Sequence, residues 1–261
     1  MRIALGIEYD GAAFCGWQIQ AGDVPTVQGF LEAALSQIAN EPVSQCQVAG
    51  RTDTGVHATE QVIHFETRAQ RSMSSWVLGS NRYLMDHSIS VLWAHLVEND
   101  FHARFSAQRR RYRYIILSRP IRPSFLHQRV SWDPRPLSLK RMQQAAKYFV
   151  GEHDFDSYRT VKCQAKSPVK TVYFLNVSQR GEYFYIDIEA NSFLHHMVRN
   201  IAGVLMSIGR SEQAPEWALE VLEARDRTKG GVTAPSGGLY LTNVTYDKKF
   251  NLPQINSTTI I

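Results

Sequence analysis

Apolar positions along this chain repeat with two periods, and the switches between them mark its elements. Arg2–Tyr9 (RIALGIEY) is apolar at every second place, the spacing of a strand, and Asp10 and Gly11 turn it. The next stretch, AAFCGWQIQAGDVP, has no period, and Phe14 and Trp17 are expected at the surface. Val27, Phe30, Leu31, Ala34, Leu35 and Ile38 then fall on one side of a helix over residues 27–38, with Thr26 before it. Residues 42–48 and 61–66 read as strands on either side of AGRTDTGVHA (residues 49–58). A helix over residues 74–84 and a strand over Ile89–Val97 follow. The order β-α-β-β-α-β is the split pattern of a ferredoxin-like unit.

After residue 100 the composition shifts. FHARFSAQRRRYRY (residues 101–114) leads into apolar IIL, a strand with Tyr112 and Tyr114 on one face and a local positive patch of arginines. Residues 119–135, rich in Pro and Arg, read as a linker. A helix over 139–149, the polar loop DFDSYRTVKCQAKSP and strands over 171–178 and 183–189 follow, the strands joined by a Gln-Arg-Gly-Glu turn. A long helix is expected from 192 or 193 to 208, a short one over 215–224, and a closing strand in GGLYLTNVTY. The chain therefore divides into two related α+β halves, 1–108 and 109–261, ending in the tail NLPQINSTTII.

Composition narrows the class. The chain has 261 residues, of which 44% are hydrophobic and 20% charged, which is ordinary for a globular protein with one or two domains. A formal charge of +5 suits a polyanionic partner without requiring one. Cys15, Cys46 and Cys163 are widely spaced and include no CxxC, which argues against disulfides and a zinc site. The N-terminus gains charge too early for a signal peptide, and no apolar run approaches the roughly twenty residues of a membrane span. A cytoplasmic protein is expected.

The candidate chemistry begins at AGRTDTGVHA. Gly50 and Gly55 permit unusual backbone angles and close approach of a ligand. Arg51 and Asp53 stand two apart, so in an extended segment their side chains leave on one side. A neighbouring cation favours an ionised Asp53, suited to act as anion, nucleophile or base. Thr-Asp-Thr-Gly is also common turn chemistry. In the apolar helix NSFLHHMVRNIAGVLMSIGR, Arg199 is the exception. If buried it needs a carboxylate, and Asp53 is the candidate. Tyrosines and arginines interleaved on a strand can hold RNA through stacking and phosphate contacts, or can simply mark a core face and a solvated edge. His195 and His196, adjacent on a helix, would point to different sides, and no HxH or HxxxH spacing supports a metal site. Phosphate-loop, serine-hydrolase and dinucleotide motifs are absent.

AGRTDTGVHA, FHARFSAQRRRYRY, FLHHMVRNIAG and GGLYLTNVTY, in this order and spacing, closely resemble the tRNA pseudouridine synthases of the TruA type, from Ile3 to about Tyr246. The resemblance implies two ferredoxin-like (RRM-like) halves joined in one continuous mixed and antiparallel sheet with helices on one face. It implies isomerisation of uridine to pseudouridine at neighbouring positions on the 3′ side of the tRNA anticodon stem-loop. It implies no metal and no cofactor, a homodimer that binds tRNA across both subunits, and no membrane. By the same resemblance the catalytic aspartate falls on Asp53, the active-site tyrosine on Tyr112, the base-flipping arginine on Arg51 and the arginine paired with the aspartate on Arg199. Thr54 stands where the family more often has alanine, and Leu84-Met85 where Leu-Pro is expected. Two other readings compete: a non-catalytic RNA-binding module, and a metal-dependent hydrolase using Asp53 and His57.

Overall fold

The alternation in Arg2–Tyr9 becomes strand β1 over those same residues, but both of its faces are covered. Ile3, Ala4, Leu5 and Ile7 have no exposed surface. The structure, a computed structural model, describes residues 1–160, 163 and 165–255. Its contacts gather into two compact units, Met1–Gln108 with the chain from Tyr240 onward, and Arg109–Leu239. The closing strand, read from the sequence with the second half, thus lies with the first unit from Tyr240 on.

In the first unit, helix α1 spans Val27–Ala39. Thr26 accepts the Gly29 N–H as its N-cap, an interaction worth about 1 kcal/mol, and Asn40 ends the helix in the left-handed conformation. Of the strand expected over 42–48, only Gln47–Val48 (β2) pairs. Gln45, at φ +59°, breaks the extended run before it. Strand β3 spans His57–Glu66, longer than its period implied, so His57 and Ala58 leave the loop and enter the sheet. Helix α2 (Met73–Leu84) is capped by Ser72 and leads to β4 (Ile89–Val97). Asn81 holds the irregularity where β4 slips against β1: its Nδ2 donates to Val91 O at 2.9 Å and its Oδ1 accepts the Val91 N–H at 2.7 Å. The order β4-β1-β3-β2 is antiparallel throughout, as in a ferredoxin-like unit. Tyr240 and Leu241 of the closing strand (Leu239–Thr245, β10 in chain order) pair in parallel with His57 and Ala58.

In the second unit, β5 spans Arg109–Ser118, and β6 (Ser131–Asp133) pairs with its end in parallel, inside the stretch read as a linker. Three residues are too few to show a period. Helix α3 (Leu139–Ala146) is shorter than expected and tightens into a 3-10 turn over Lys147–Phe149. Strand β7 (Gly151–Asp154) also escaped the sequence reading. Strands β8 (Val169–Arg180) and β9 (Tyr183–Ala190) form the expected hairpin, with Gly181 at φ +59° in the turn. The order is β5-β9-β8-β7, antiparallel along this path. Helix α4 covers Met197–Gly209, and α5 covers Trp217–Ala224. Both units are therefore α+β, with ten strands and five α-helices among the described residues. No described helix is long and apolar enough to cross a membrane. Val161, Lys162 and Gln164 of the polar loop, and the end of the tail from Asn256, lie outside the described residues.

Candidate active site

Arg51 and Asp53 share one loop of the first unit, Arg51 exposed and Asp53 half-buried. The loop turns at Asp53: the Val56 N–H donates to Asp53 O at 3.1 Å, with Gly55 at φ +76° in the position that demands a left-handed residue. Gly50 has no such angle. Thr52, between the two candidate groups, is buried and held from both sides. The Trp17 N–H donates to Thr52 O at 3.0 Å, and Thr52 Oγ1 bonds the Tyr9 hydroxyl at 2.8 Å. Gln61 from β3 donates to Gly50 O at 2.7 Å and reaches the same tyrosine. Burial pushes the Tyr9 hydroxyl up to about 12, so it stays protonated as a hydrogen-bonding group.

The irregular segment after β1 is the other half of this support. Phe14 and Trp17, expected at the surface, are 4% and 0% exposed and lie beneath the loop's anchor points. The Gly55 N–H donates to Phe14 O. Gly16 sits at φ +89°, where a Cβ would stand 2.8 Å from Thr52 O, and a Cβ on Gly11 would stand 2.0 Å from Val56 O. Backbone lies directly on backbone, which only glycine permits. His57 is 2% exposed. Its Nδ1 meets the Gly11 N–H and the Asp10 carboxylate, each at 3.0 Å, and its ring stacks on Tyr240 at 4.6 Å. This makes it a buttress under the loop, not the second reactive group that the hydrolase reading required. Tyr9, Gly16, Trp17, Thr52 and Gln61 were missed by sequence reasoning. Glycine beside an aromatic in a stretch without period was the only signal.

Tyr112 and Arg199 lie in the second unit, on β5 and α4, which pack together. Tyr112 is 8% exposed and meets the Phe193 ring edge-on at 5.0 Å. Arg199 is half-buried, less than the apolar helix around it implied. Its Nε donates to Ala234 O at 2.8 Å, while its own carbonyl accepts the Ala234 N–H at 3.1 Å. That segment can cross α4 because residue 203 is glycine: a Cβ there would stand 2.0 Å from Val232 O. Arg227 ties the crossing down through Gly231 O and Thr233 Oγ1. The Tyr114 hydroxyl donates to Pro235 O at 2.8 Å, and burial raises its pKa well above the usual tyrosine range although the Arg199 charge pulls it down.

One expectation needs correction here, and one choice left open narrows. Helix α4 begins only at Met197, because His196 adopts the left-handed conformation at φ +64°. His195 and His196 therefore do not diverge around a helix; their rings lie 4.3 Å apart. Of the two readings left open for the Tyr-Arg strand β5, the arginines fit an edge, and one that is paired. Tyr112 and Tyr114 are core-facing, and on the opposite side Arg113 pairs with Asp187 through two bonds and Arg111 with Glu189. Arg109 also reaches Glu189, and the three guanidiniums lie over Tyr173, Phe174 and Tyr185. Carboxylates one strand away in space but some 75 residues along the chain neutralise much of what looked like a basic patch.

The frame that results is a two-unit α+β chain, with one half offering a rigidly mounted carboxylate and the other a tyrosine and an arginine. A family model described as tRNA pseudouridine synthase matches residues 6–106 and 145–247. The chain is 56% identical to tRNA pseudouridine synthase A of Nitrosococcus oceani, over 98% of each chain. It is 55% identical to that of Pseudomonas aeruginosa, over 97% of this chain and 88% of the relative, and 52% identical to that of Coxiella burnetii, over 97% and 96%. The chain belongs to the tRNA pseudouridine synthase family. It is thus an enzyme, an isomerase of uridine to pseudouridine in tRNA, and this decides among the three readings left open by the residues.

Proposed function

We propose that Asp53 is the catalytic group of this isomerase and that the uridines it converts lie on the 3′ side of the tRNA anticodon stem-loop. The observation that carries the assignment is the mounting of Asp53: a half-buried carboxylate on a loop bonded at Thr52 Oγ1 from β1, at Gly50 O from β3 and at Thr52 O from the segment between β1 and α1. Such rigidity serves a group that must meet a reacting atom at fixed distance.

The chemistry asks for little else. Uracil attached through N1 is detached, turned and rejoined through C5, and the C5 proton is lost as N1 gains one. No atoms are added and no electrons transferred, so no cofactor is called for. The target base is stacked in a stem and must be flipped out at a cost of a few kcal/mol. Arg51, exposed beside Asp53, fills the vacated place. Tyr112 stacks on the flipped base. Arg199 is the basic group of the reaction, and Asp53 attacks the sugar or the base or removes a ribose proton. Leu239, Tyr240 and Leu241, all largely buried, wall the site against water. The enzyme acts as a homodimer in the cytoplasm.

Release of tritium from uracil C5 in tRNA tests this reading. Wild type is expected to release it from anticodon-stem uridines, and Asp53→Ala to release none above background. Undiminished release by the variant removes Asp53 from the chemistry, and a map of modified uridines in cells with and without the protein tests the positions.

A further inference from the structure

Between β4 and β5 the chain lifts Arg104 and Phe105 into solvent on a turn held more firmly than an exposed loop requires. Phe105 is 77% exposed, and the Arg104 guanidinium lies 5.7 Å from its ring centroid. His102 Nδ1 accepts the N–H groups of Arg104 and Phe105, at 3.1 and 3.3 Å. Ser106 closes the turn from both sides: its Oγ accepts the His102 N–H, and its own N–H donates to His102 O. Below the turn, His64 is 4% exposed and its Nδ1 accepts the Ala103 N–H at 3.0 Å; the Tyr246 hydroxyl donates to Ala103 O at 2.6 Å. Phe101 anchors the base of the turn, fully buried against Tyr246 and Phe250. Two imidazoles and a phenol thus fix a short turn whose tip is a cation beside an aromatic ring.

The setting of this tip says what it meets. Arg104 is exposed, and it is the charged group of the tip beside the exposed Phe105. A guanidinium and a largely exposed ring, resting on the His102 imidazole at 4.4 Å, match the two parts of a nucleotide, the phosphate and the face of the base. The turn is also remote from the Asp53 loop. It is bonded to His64 on β3, while the loop is buttressed by His57 on the same strand, seven residues away or roughly 23 Å at about 3.3 Å per residue.

We propose that Arg104 and Phe105 form a second tRNA contact, separate from the uridine being isomerised, in which Arg104 meets a backbone phosphate and Phe105 stacks on an unpaired base. The proposal rests on the tRNA isomerase reading and adds to it a place where affinity is gained without chemistry.

The test uses the full chain with Phe105→Ala, Phe105→Trp and Arg104→Ala, measuring tRNA affinity over a range of salt and the single-turnover rate of pseudouridine formation at saturating tRNA. Phe105→Ala is expected to weaken tRNA binding about tenfold, with the saturated rate within about twofold of wild type. Phe105→Trp keeps the affinity, and Arg104→Ala lowers the slope of log affinity against log salt by about one. Unchanged affinity in both alanine variants overturns the proposal. So does a change of oligomeric state without tRNA in Phe105→Ala with affinity preserved, which assigns the turn to a protein contact. A wild type that binds tRNA but forms no pseudouridine refutes the isomerase reading instead, while the affinities still judge the contact.

Discussion

The Asp53 loop and the Tyr112–Arg199 cluster are built in opposite ways. Asp53 is placed by irregular chain. A left-handed Gly16, a left-handed Gly55 and side-chain bonds from Tyr9 and Gln61 hold a segment with no ladder of its own. Tyr112 and Arg199 are placed by a ten-residue strand and a thirteen-residue helix. Only the crossing of the 230–234 segment over Gly203 is irregular there. A group on a regular element inherits its position from many backbone bonds, so losing one contact moves it little. A group on a loop depends on each contact separately. The first unit should therefore lose function before it loses its fold, and the second the reverse.

Removing the carboxylate is the strongest test of that asymmetry. Asp53→Ala is expected to cut tritium release by about a thousandfold or more while the circular dichroism and melting temperature stay those of wild type. A large fall in melting temperature would make Asp53 structural. Next comes Gly16→Ala, which strains a φ of +89° and drives a methyl against Thr52 O. A misplacement of about 1 Å at the loop costs about a hundredfold in rate, at a stability cost of only about 1–3 kcal/mol. If the saturated rate is unchanged, the loop is held by its strand ends alone.

Gly203→Ala probes the other side. The crossing segment must move off α4, with an expected loss of about 2–3 kcal/mol in denaturant unfolding. The rate should fall only about tenfold, as Ala234 releases the Arg199 guanidinium. A rate loss exceeding that of Gly16→Ala would reverse the comparison. Tyr9→Phe removes one buried hydrogen bond to Thr52 and is expected to cost about 1 kcal/mol, with a several-fold drop in rate and little change in KM.

The last effect, in acid, touches stability and leaves the chemistry aside. Burial, with the neighbouring His102 charge second, lowers His64 from its ordinary 6.5 to about 4. Between those values the unfolded chain binds a proton that the folded chain refuses. The stabilising contribution is thus complete above about pH 6.5 and is lost as pH falls toward 4. His102 is shifted in the same direction. Urea midpoints at pH 7 and pH 5 should differ by less in His64→Gln than in wild type, and hydrogen exchange should locate the acid-sensitive opening at the Ala103 amide.

Much of the architecture was legible from periodicity because periodicity is what burial on one face produces. Arg2–Tyr9, Ile89–Val97 and the Thr26-capped α1 came out at or within a residue of their bounds, since each is long enough to complete several repeats. Strands of three or four residues, β6 and β7, are too short to show a pattern and stayed hidden, and β2 was read too long. The start of α4 was misplaced because His196 turns left-handed for reasons of tertiary fit, which a helical pattern does not record.

Motif order alone named the family and made Asp53, Arg51, Tyr112 and Arg199 the candidates, because residue type and spacing are written in the chain. How Asp53 is mounted could not be read there. Phe14 and Trp17 look like surface residues in a segment without period, and only three-dimensional contact shows them buried under Thr52. The arginines of β5 likewise look like a free positive patch until pairing with β9 brings Asp187 and Glu189 beside them. In both cases the deciding partner is distant along the chain. Local sequence sets what a side chain can do, while its burial and charge environment are set by whatever the fold lays against it.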